Sequence, residues 1–382
     1  MSRRNPLRSS RLWLLLLVLF AVGIVLSVLG PWPILLPWLR PGHSVGERST
    51  RTVDVSAQGL HILGNQLVTK NGTPVVLHGI SRDGSDFLCA EGHGIFDGPT
   101  DPAYTQTMLR WHINSIRLPL NEGCWLGVGS VPASYGGVAY RQAIINYVDT
   151  LTRQGIYVIL DLHKLAFGTR ADTHNFRDMP DATYAIPFWQ QVAEQFKSNT
   201  MVLFELFNEP HGITWSCWRN GGHCTNVSYR AAGMQTLVNV VRQTQATNVI
   251  VLPGLRYGND LNGWLPAMPN DPQHNLAASW HDYTASDSCA TPACYDRELL
   301  PIVRQVPLIN TEFGTDAHGI ICGTQGIGPM LSWSDAHHAS YLAWTWNVGS
   351  QTCGGLSLIS DWKGTPKAPN GTFFHDWLLT HG

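Results

Sequence analysis

Val202-Leu203-Phe204-Glu205-Leu206-Phe207-Asn208-Glu209-Pro210 is apolar for most of its length and then turns polar within three residues. A short apolar run bounded by turn residues reads as a strand covered on both faces, the pattern of a parallel sheet. Seven further runs of this kind lie at Val75–Ile80, Ile113–Leu118, Tyr157–Leu162, Val249–Leu252, Leu276–Trp280, Val306–Ile309 and Tyr341–Trp346. Helical periodicity fills much of the space between them, for example at Tyr140–Gln154, Ile186–Lys197, Tyr229–Gln245 and Arg297–Arg304. A short hairpin over Leu60–Thr69 precedes the series. Eight buried strands alternating with helices predict an α/β fold, a (β/α)8 TIM barrel. An open doubly wound sheet is the competing architecture. Its phosphate loop would follow the first strand, and Gly79-Ile80-Ser81-Arg82-Asp83-Gly84 lacks the G-x-G-x-x-G spacing.

A barrel gathers its active site at the carboxyl ends of its strands. In this chain those ends carry Arg117, Asp161-Leu162-His163, Asn208-Glu209, His281-Asp282-Tyr283, Thr311-Glu312 and Trp344-Thr345-Trp346-Asn347. Taken singly, each has a structural explanation: Arg117 as the partner of a core acid, His163 as a satisfied core histidine. Buried charge is costly without partners, so six such groups at one end of six strands call for a shared use. Two carboxylates in the cluster suggest glycoside hydrolysis, which needs one acid and one base or nucleophile. Glu209 and Glu312 would face each other only if the barrel closes.

At these residues the chain resembles glycoside hydrolase family 5, in particular its bacterial endoglucanase-like members. The resemblance is carried by LHGISRDGSDFLC (77–89), INSIRLPLNEGCW (113–125), YVILDLH (157–163), LFELFNEPHG (203–212), SWHDY (279–283), LINTEFG (308–314) and AWTWN (343–347). It implies a retaining enzyme that needs no metal and no cofactor, with Glu209 as acid/base and Glu312 as nucleophile. It places Arg117, His163, Asn208, His281 and Tyr283 around them and Trp344 under the reacting sugar. Trp346 is the alternative floor, since both tryptophans would share one face of a strand.

Elementary electrostatics assigns the roles. Arg117 should favour ionised Glu312, and the Tyr283 hydroxyl should hold it. Burial and the charge of Glu312 should raise the pKa of Glu209. Asn208 would bond the sugar 2-OH. Lys164 follows His163 where many cellulose-cleaving relatives carry Trp, which weakens the case for a long stacked cleft. Trp215 and Trp218 are either a stacking platform or the packing of a disulfide-held loop. A β-1,4-glucan is the expected substrate, with β-mannan or a short glucoside behind it. Two other classes compete. A carbohydrate-binding protein on a dead barrel should have lost a carboxylate, and both are present. A metal-dependent hydrolase, suggested by 16 His, should show His-x-His or His-Glu-x-x-His, and neither occurs.

Composition sets the setting. Charged residues make up 14% of the 382, the net charge is -2 and there are 15 Trp. That balance lacks the basic footprint of a nucleic-acid binder. Leu12 to Leu29 carries no charge and would span about 27 Å as a helix, enough to cross a bilayer. Arg3, Arg4, Arg8 and Arg11 precede it, so the positive-inside rule sends the rest of the chain outside. An uncleaved anchor is expected over residues 1–39, with a secretory signal peptide as the rival reading. Residues 40–58 read as a tether and 59–382 as one catalytic domain. The eight cysteines suit an oxidising compartment. Proximity pairs Cys217 with Cys224 and Cys289 with Cys294, leaving Cys89/Cys124 and Cys322/Cys353 as the simplest remainder. A zinc site near His223 and Cys224 is the alternative use.

Overall fold

The structure, a computed structural model, describes residues 58–166, 177–318, 320–321, 323–349 and 356–382. These residues belong to one compact unit. Eight strands form a closed barrel: β1 (His78–Ser81), β2 (Ser115–Asn121), β3 (Tyr157–Lys164), β4 (Val202–Glu205), β5 (Ile250–Pro253), β6 (Leu276–Tyr283), β7 (Leu308–Gly314) and β8 (Ser340–Ala343). Each pairs in parallel with its sequence neighbours, and β8 closes on β1.

The alternation of side chains explains the layers. In β2, Ile116, Leu118 and Leu120 join the large outer core between sheet and helices, while Arg117 enters the barrel. Helices Val138–Thr152, Ala185–Phe196 and Met234–Gln243 pack their apolar stripes on that outer face, with Phe188, Trp189, Val192 and Phe196 all buried on the second. A second, smaller core fills the amino end of the barrel. It joins Leu60 and Leu67 of the hairpin to Leu77, Ile159, Leu203, Val251, Ile309 and Leu342. The hairpin (Leu60–Leu63 with Gln66–Thr69) thus plugs one end, and polar side chains are left for the other.

Several boundaries differ from expectation. The helix expected from Tyr229 begins at Met234, because Arg230–Ala232 pairs antiparallel with Gly221–His223. The helix expected over Arg297–Arg304 is two pieces, Pro292–Glu298 and Leu300–Val303. Pro301 lacks the N–H that a continuous helix needs and crowds the preceding turn. β8 ends at Ala343 rather than Trp346, so Trp344 and Trp346 do not share a strand face.

β7 carries one extra residue. Trp280 pairs with Asn310 but His281 pairs with Glu312, and β8 shows the same shift between Asn310 and Phe313. Thr311 is therefore bulged, and two consecutive side chains, Thr311 and Glu312, enter the barrel. The Asn310 amide, oriented as its surroundings require, donates to Glu312 O at 2.8 Å and Trp280 O at 3.0 Å and so staples the bulge.

Three disulfides form as expected: Cys89–Cys124, Cys217–Cys224 and Cys289–Cys294. Cys224 is therefore not a zinc ligand. Cys322 and Cys353 lie outside the described residues, as does the apolar run 12–29. Among the described residues no helix is long and apolar enough to cross a membrane.

Candidate active site

The polar layer is built around Arg117, which is fully buried. Its Nε donates to Glu205 Oε2 at 2.6 Å, Nη1 to Glu312 Oε2 at 3.0 Å and Nη2 to Asn208 Oδ1 at 2.6 Å. Asp161 Oδ2 lies 2.9 Å from Nη2. A planar guanidinium with five donors is suited to link β2 to β3, β4 and β7 in this way. Because Asn208 Oδ1 is taken by Arg117, its Nδ2 hydrogens are oriented away from that bond, toward the cleft.

Glu209 and Glu312 stand above this layer. One oxygen of each, and one His281 ring nitrogen, lie within 4.8 Å of one another. The two carboxyls are held differently. Glu209 Oε1 meets His281 Nδ1 at 3.0 Å. Glu312 accepts from Arg117 and, at 2.5 Å, from the Tyr283 hydroxyl. Burial pushes Glu209 up to about 7, against the pull of Arg117 and Lys164. Burial also raises Glu312, opposed by His281, Arg117 and the Tyr283 hydrogen bond, while the charge of Glu209 adds to the rise. Arg117 and Tyr283 thus act on Glu312 in the expected direction, and desolvation, which was not weighed for this residue, outweighs them. Tyr283 is held well above its ordinary value, first by burial and then by Glu312, and so remains a hydroxyl donor.

The protons of this network follow from which groups can donate. Ser279 Oγ and Thr311 Oγ1 both donate to Glu205 Oε1, at 2.5 and 2.7 Å. With its one hydrogen directed there, Thr311 Oγ1 accepts from His281 Nε2 at 3.1 Å. Burial lowers the His281 pKa, so the ring is neutral and its proton is on Nε2. Nδ1 then carries the lone pair, and it faces Glu209. The three groups are mutually close enough to hold a cation, but both His281 nitrogens and both Glu312 oxygens are already engaged by the protein.

His163 donates or accepts at Asp161 Oδ2, 2.7 Å away, and burial takes its pKa well below the usual value. Its ring stacks on Trp344 with centroids 5.5 Å apart and planes 7° apart. A cleft of about 300 Å3 is lined by Asp83, His163, Asn208, Glu209, Glu312 and Trp344, among others, with Lys164 and Tyr283 in its wall. Trp346 is elsewhere: it is buried, donates to the Tyr104 hydroxyl at 2.9 Å and packs edge-on against Trp111. Trp218 is also core, bonded to Pro253 O, and Trp215 packs edge-on against it. The loop with the Cys217–Cys224 bridge therefore packs its own tryptophans.

All eight residues expected at the site come together. Asp161, Glu205, Ser279 and Thr311 join them without having been assigned a role, although Asp161 and Thr311 were already among the polar residues at the strand ends. The signal for the first two was present, since each is an acid inside a run that otherwise reads as buried strand.

A parallel barrel with ionisable groups gathered at the carboxyl ends of its strands is the architecture of the α/β-barrel enzymes. The chain belongs to the cellulase family, glycosyl hydrolase family 5, whose sequence pattern matches residues 68–350. It is 28% identical to Endoglucanase E-5 of Thermobifida fusca, over 76% of this chain and 54% of that protein. It is 24% identical to an endoglucanase of Paenibacillus polymyxa, over 79% of this chain and 83% of the relative. The chain thus spans about half the length of the first relative. Its fold superposes on a β-glucanase of Saccharophagus degradans crystallised with cellotetraose, with a TM-score of 0.64, 18% identity, and coverage of 84% and 93% of the two chains.

Proposed function

We propose that this chain is a retaining endo-β-1,4-glucanase in which Glu312 is the nucleophile and Glu209 the acid/base. The observation that carries this reading is the asymmetry of two neighbouring carboxyls. Glu312 is held by two donors, Arg117 and Tyr283, while Glu209 is held by an imidazole lone pair. Their approach to within 4.8 Å fits the roughly 5–5.5 Å separation of retaining enzymes rather than the wider spacing that admits a water.

Glu312 attacks the anomeric carbon while Glu209 passes its proton to the departing glycosidic oxygen. Ester formation removes the charge of Glu312, so Arg117 and Tyr283 lose their ionic acceptor. The loss of that charge also lowers the pKa of Glu209, which then takes a proton from water as the water attacks the anomeric carbon and the bond to Glu312 breaks, releasing Glu312 as a carboxylate. Asn208, oriented by Arg117, donates to the sugar 2-OH, and Trp344 with His163 behind it supports the ring. The endoglucanase names of the relatives support a β-1,4-glucan as substrate.

The setting belongs to the same proposal. Residues 12–29 form an uncleaved single-pass anchor, 40–58 a tether, and 59–382 a catalytic domain outside the membrane. The charge-free run, the arginines before it and the three disulfides support this. Release of the full chain from membranes by alkaline carbonate would sink the anchor.

The activity is tested by reducing-sugar release from carboxymethyl cellulose, mixed-linkage glucan, glucomannan, mannan and xylan. Release from the β-1,4-glucans is expected. Release from mannan alone would move the substrate, and silence on all five from folded protein would overturn the enzyme reading in favour of a binding protein.

A further inference from the structure

Glu122 and Asp181 are buried acids that the chemistry at Glu209 and Glu312 does not use. Glu122 follows directly on β2 and opens the short helix Glu122–Leu126. Its Oε2 accepts from Ala166 N at 2.7 Å, in the chain just beyond β3. Asp181 lies further along the same connection. Its Oδ1 accepts from Thr183 N and Tyr184 N, each at 2.8 Å. The backbone on either side of Asp181 pairs with the hairpin that follows β4: Ala182 N donates to Arg230 O and Ala232 N to Pro180 O, each at 2.8 Å. The loops after β2, β3 and β4, all at the catalytic end of the barrel, therefore meet at these two carboxyls.

The remaining oxygen of each, Glu122 Oε1 and Asp181 Oδ2, is buried with no donor to meet it. The two carboxyls lie within hydrogen-bonding reach of each other. Ionised carboxylates offer only lone pairs, so a doubly ionised pair would repel in surroundings that do not screen it. Among the described residues no cation is ion-paired with either, and neither belongs to a group that could hold a metal ion. The charged groups on the neighbouring elements are directed elsewhere. Arg141 donates to Trp125 O at 2.7 Å, Asp86 accepts from Gly84 N at 3.1 Å, and Lys164 lines the cleft. The Tyr229 hydroxyl, which Asp178, Arg177 and Asp181 all influence, donates to Met179 O at 2.6 Å.

One proton completes the arrangement. On Glu122 Oε1 it donates to Asp181 Oδ2, and all four oxygens then have a partner. Asp181, with two backbone donors, is the better carboxylate, and Glu122, with one, the better acid. Burial and then the charge of Asp181 raise Glu122 well above its ordinary value of 4.5. Burial raises Asp181 as well, against the pull of the Tyr184 and Thr183 N–H groups and of the hydrogen bond from Glu122.

We infer that Glu122 and Asp181 share one proton in a carboxylic acid–carboxylate hydrogen bond, and that this proton is a pH-sensitive latch joining the loops after β2, β3 and β4. Neither carboxyl takes part in glycan cleavage, so the latch stands apart from the glucanase reading. The folded chain keeps the proton at pH values where the unfolded chain has lost it. The stability it contributes is thus complete below about 4.5 and declines as pH rises from there through the raised pKa of Glu122. Above that range two carboxylates face each other and the three loops lose their common tie.

Glu122→Gln tests the latch. Its amide oxygen can still accept from Ala166 N and its NH2 group can still donate to Asp181, with no proton to lose. Thermal melting of the full chain between about pH 5 and about pH 8.5 should show wild type losing about 2 °C or more relative to the variant, while titrating groups elsewhere move both curves alike. Asp181→Asn, whose amide can donate to ionised Glu122, should flatten the profile in the same direction. Parallel profiles for wild type and Glu122→Gln overturn the shared proton. So does a Glu122→Gln protein that is unfolded at the acid end of the range, since glutamine copies the neutral acid and fails only where the position needs a charge.

Discussion

Arg117 Nε meets Glu205 Oε2 at 2.6 Å, one layer below the nucleophile candidate, with both side chains fully buried. Truncating one partner of such a pair leaves charge in a medium that cannot solvate it. Glu205→Ala should lower the unfolding free energy by roughly 3–5 kcal/mol in urea titrations. A curve superimposable on wild type would mean that Asp161, Glu312 and Asn208 satisfy Arg117 without it.

Glu209→Ala should cut turnover of unactivated glucan by about 10²–10⁴-fold, the usual worth of a general acid. Dinitrophenyl glycosides, whose leaving group needs little protonation, should suffer less in the glycosylation step. Glu312→Ala should be nearly inactive on both, and azide should restore part of its activity with a product of inverted configuration. Retention of configuration in that azide product would exchange the assignments of the two glutamates.

The alkaline limb of kcat/KM should report Glu209, which must be protonated to act as acid and which burial places near 7. Lys164 pulls that value down. Lys164→Met should therefore move the alkaline limb to higher pH. A shift to lower pH would show that Lys164 acts on the profile by some other route.

Thr311→Val should move the same limb the opposite way. Without a hydroxyl to receive Nε2–H, the His281 proton can shift to Nδ1, where it stabilises ionised Glu209 and lowers its pKa. Cross-polarised nitrogen spectra of labelled His281 would show the tautomer directly, and an Nε2–H ring in the variant would refute the relay.

Cys89 and Cys124 join the segments that follow β1 and β2 across 35 residues. Replacing both with serine should cost about 3–4 kcal/mol of stability, the loop-closure expectation for that length. Thermal melting in the absence of reductant checks it, and an unchanged transition would show that packing alone holds the two segments.

The barrel was legible because each strand is a compact apolar run and because polar residues fall at one end of each. Site residues at those ends, such as Asn208-Glu209 and His281, could be read directly. Residues deeper in the barrel were only half legible: Glu205 and Asp161 stand out as acids inside apolar runs, but their partner, Arg117, comes from another strand. Ser279 and Thr311 look like ordinary strand residues until the fold brings them to Glu205. Trp344 and Trp346 are two apart and read as one face, yet the strand stops at Ala343 and the chain turns between them.

The bulge at Thr311 makes the length of β7 part of the chemistry. Loops around a barrel absorb added or lost residues with little consequence, but this strand does not. Deleting one residue between Asn310 and Phe313 would restore regular pairing, but it removes Thr311 or Glu312 itself, so only one of the two inward-facing groups remains. Either the carboxylate or the hydroxyl that orients His281 would then be missing from the barrel. A shortened strand would be a better sheet and a poorer enzyme, so sequence drift here is constrained by register as firmly as by the identity of the glutamate.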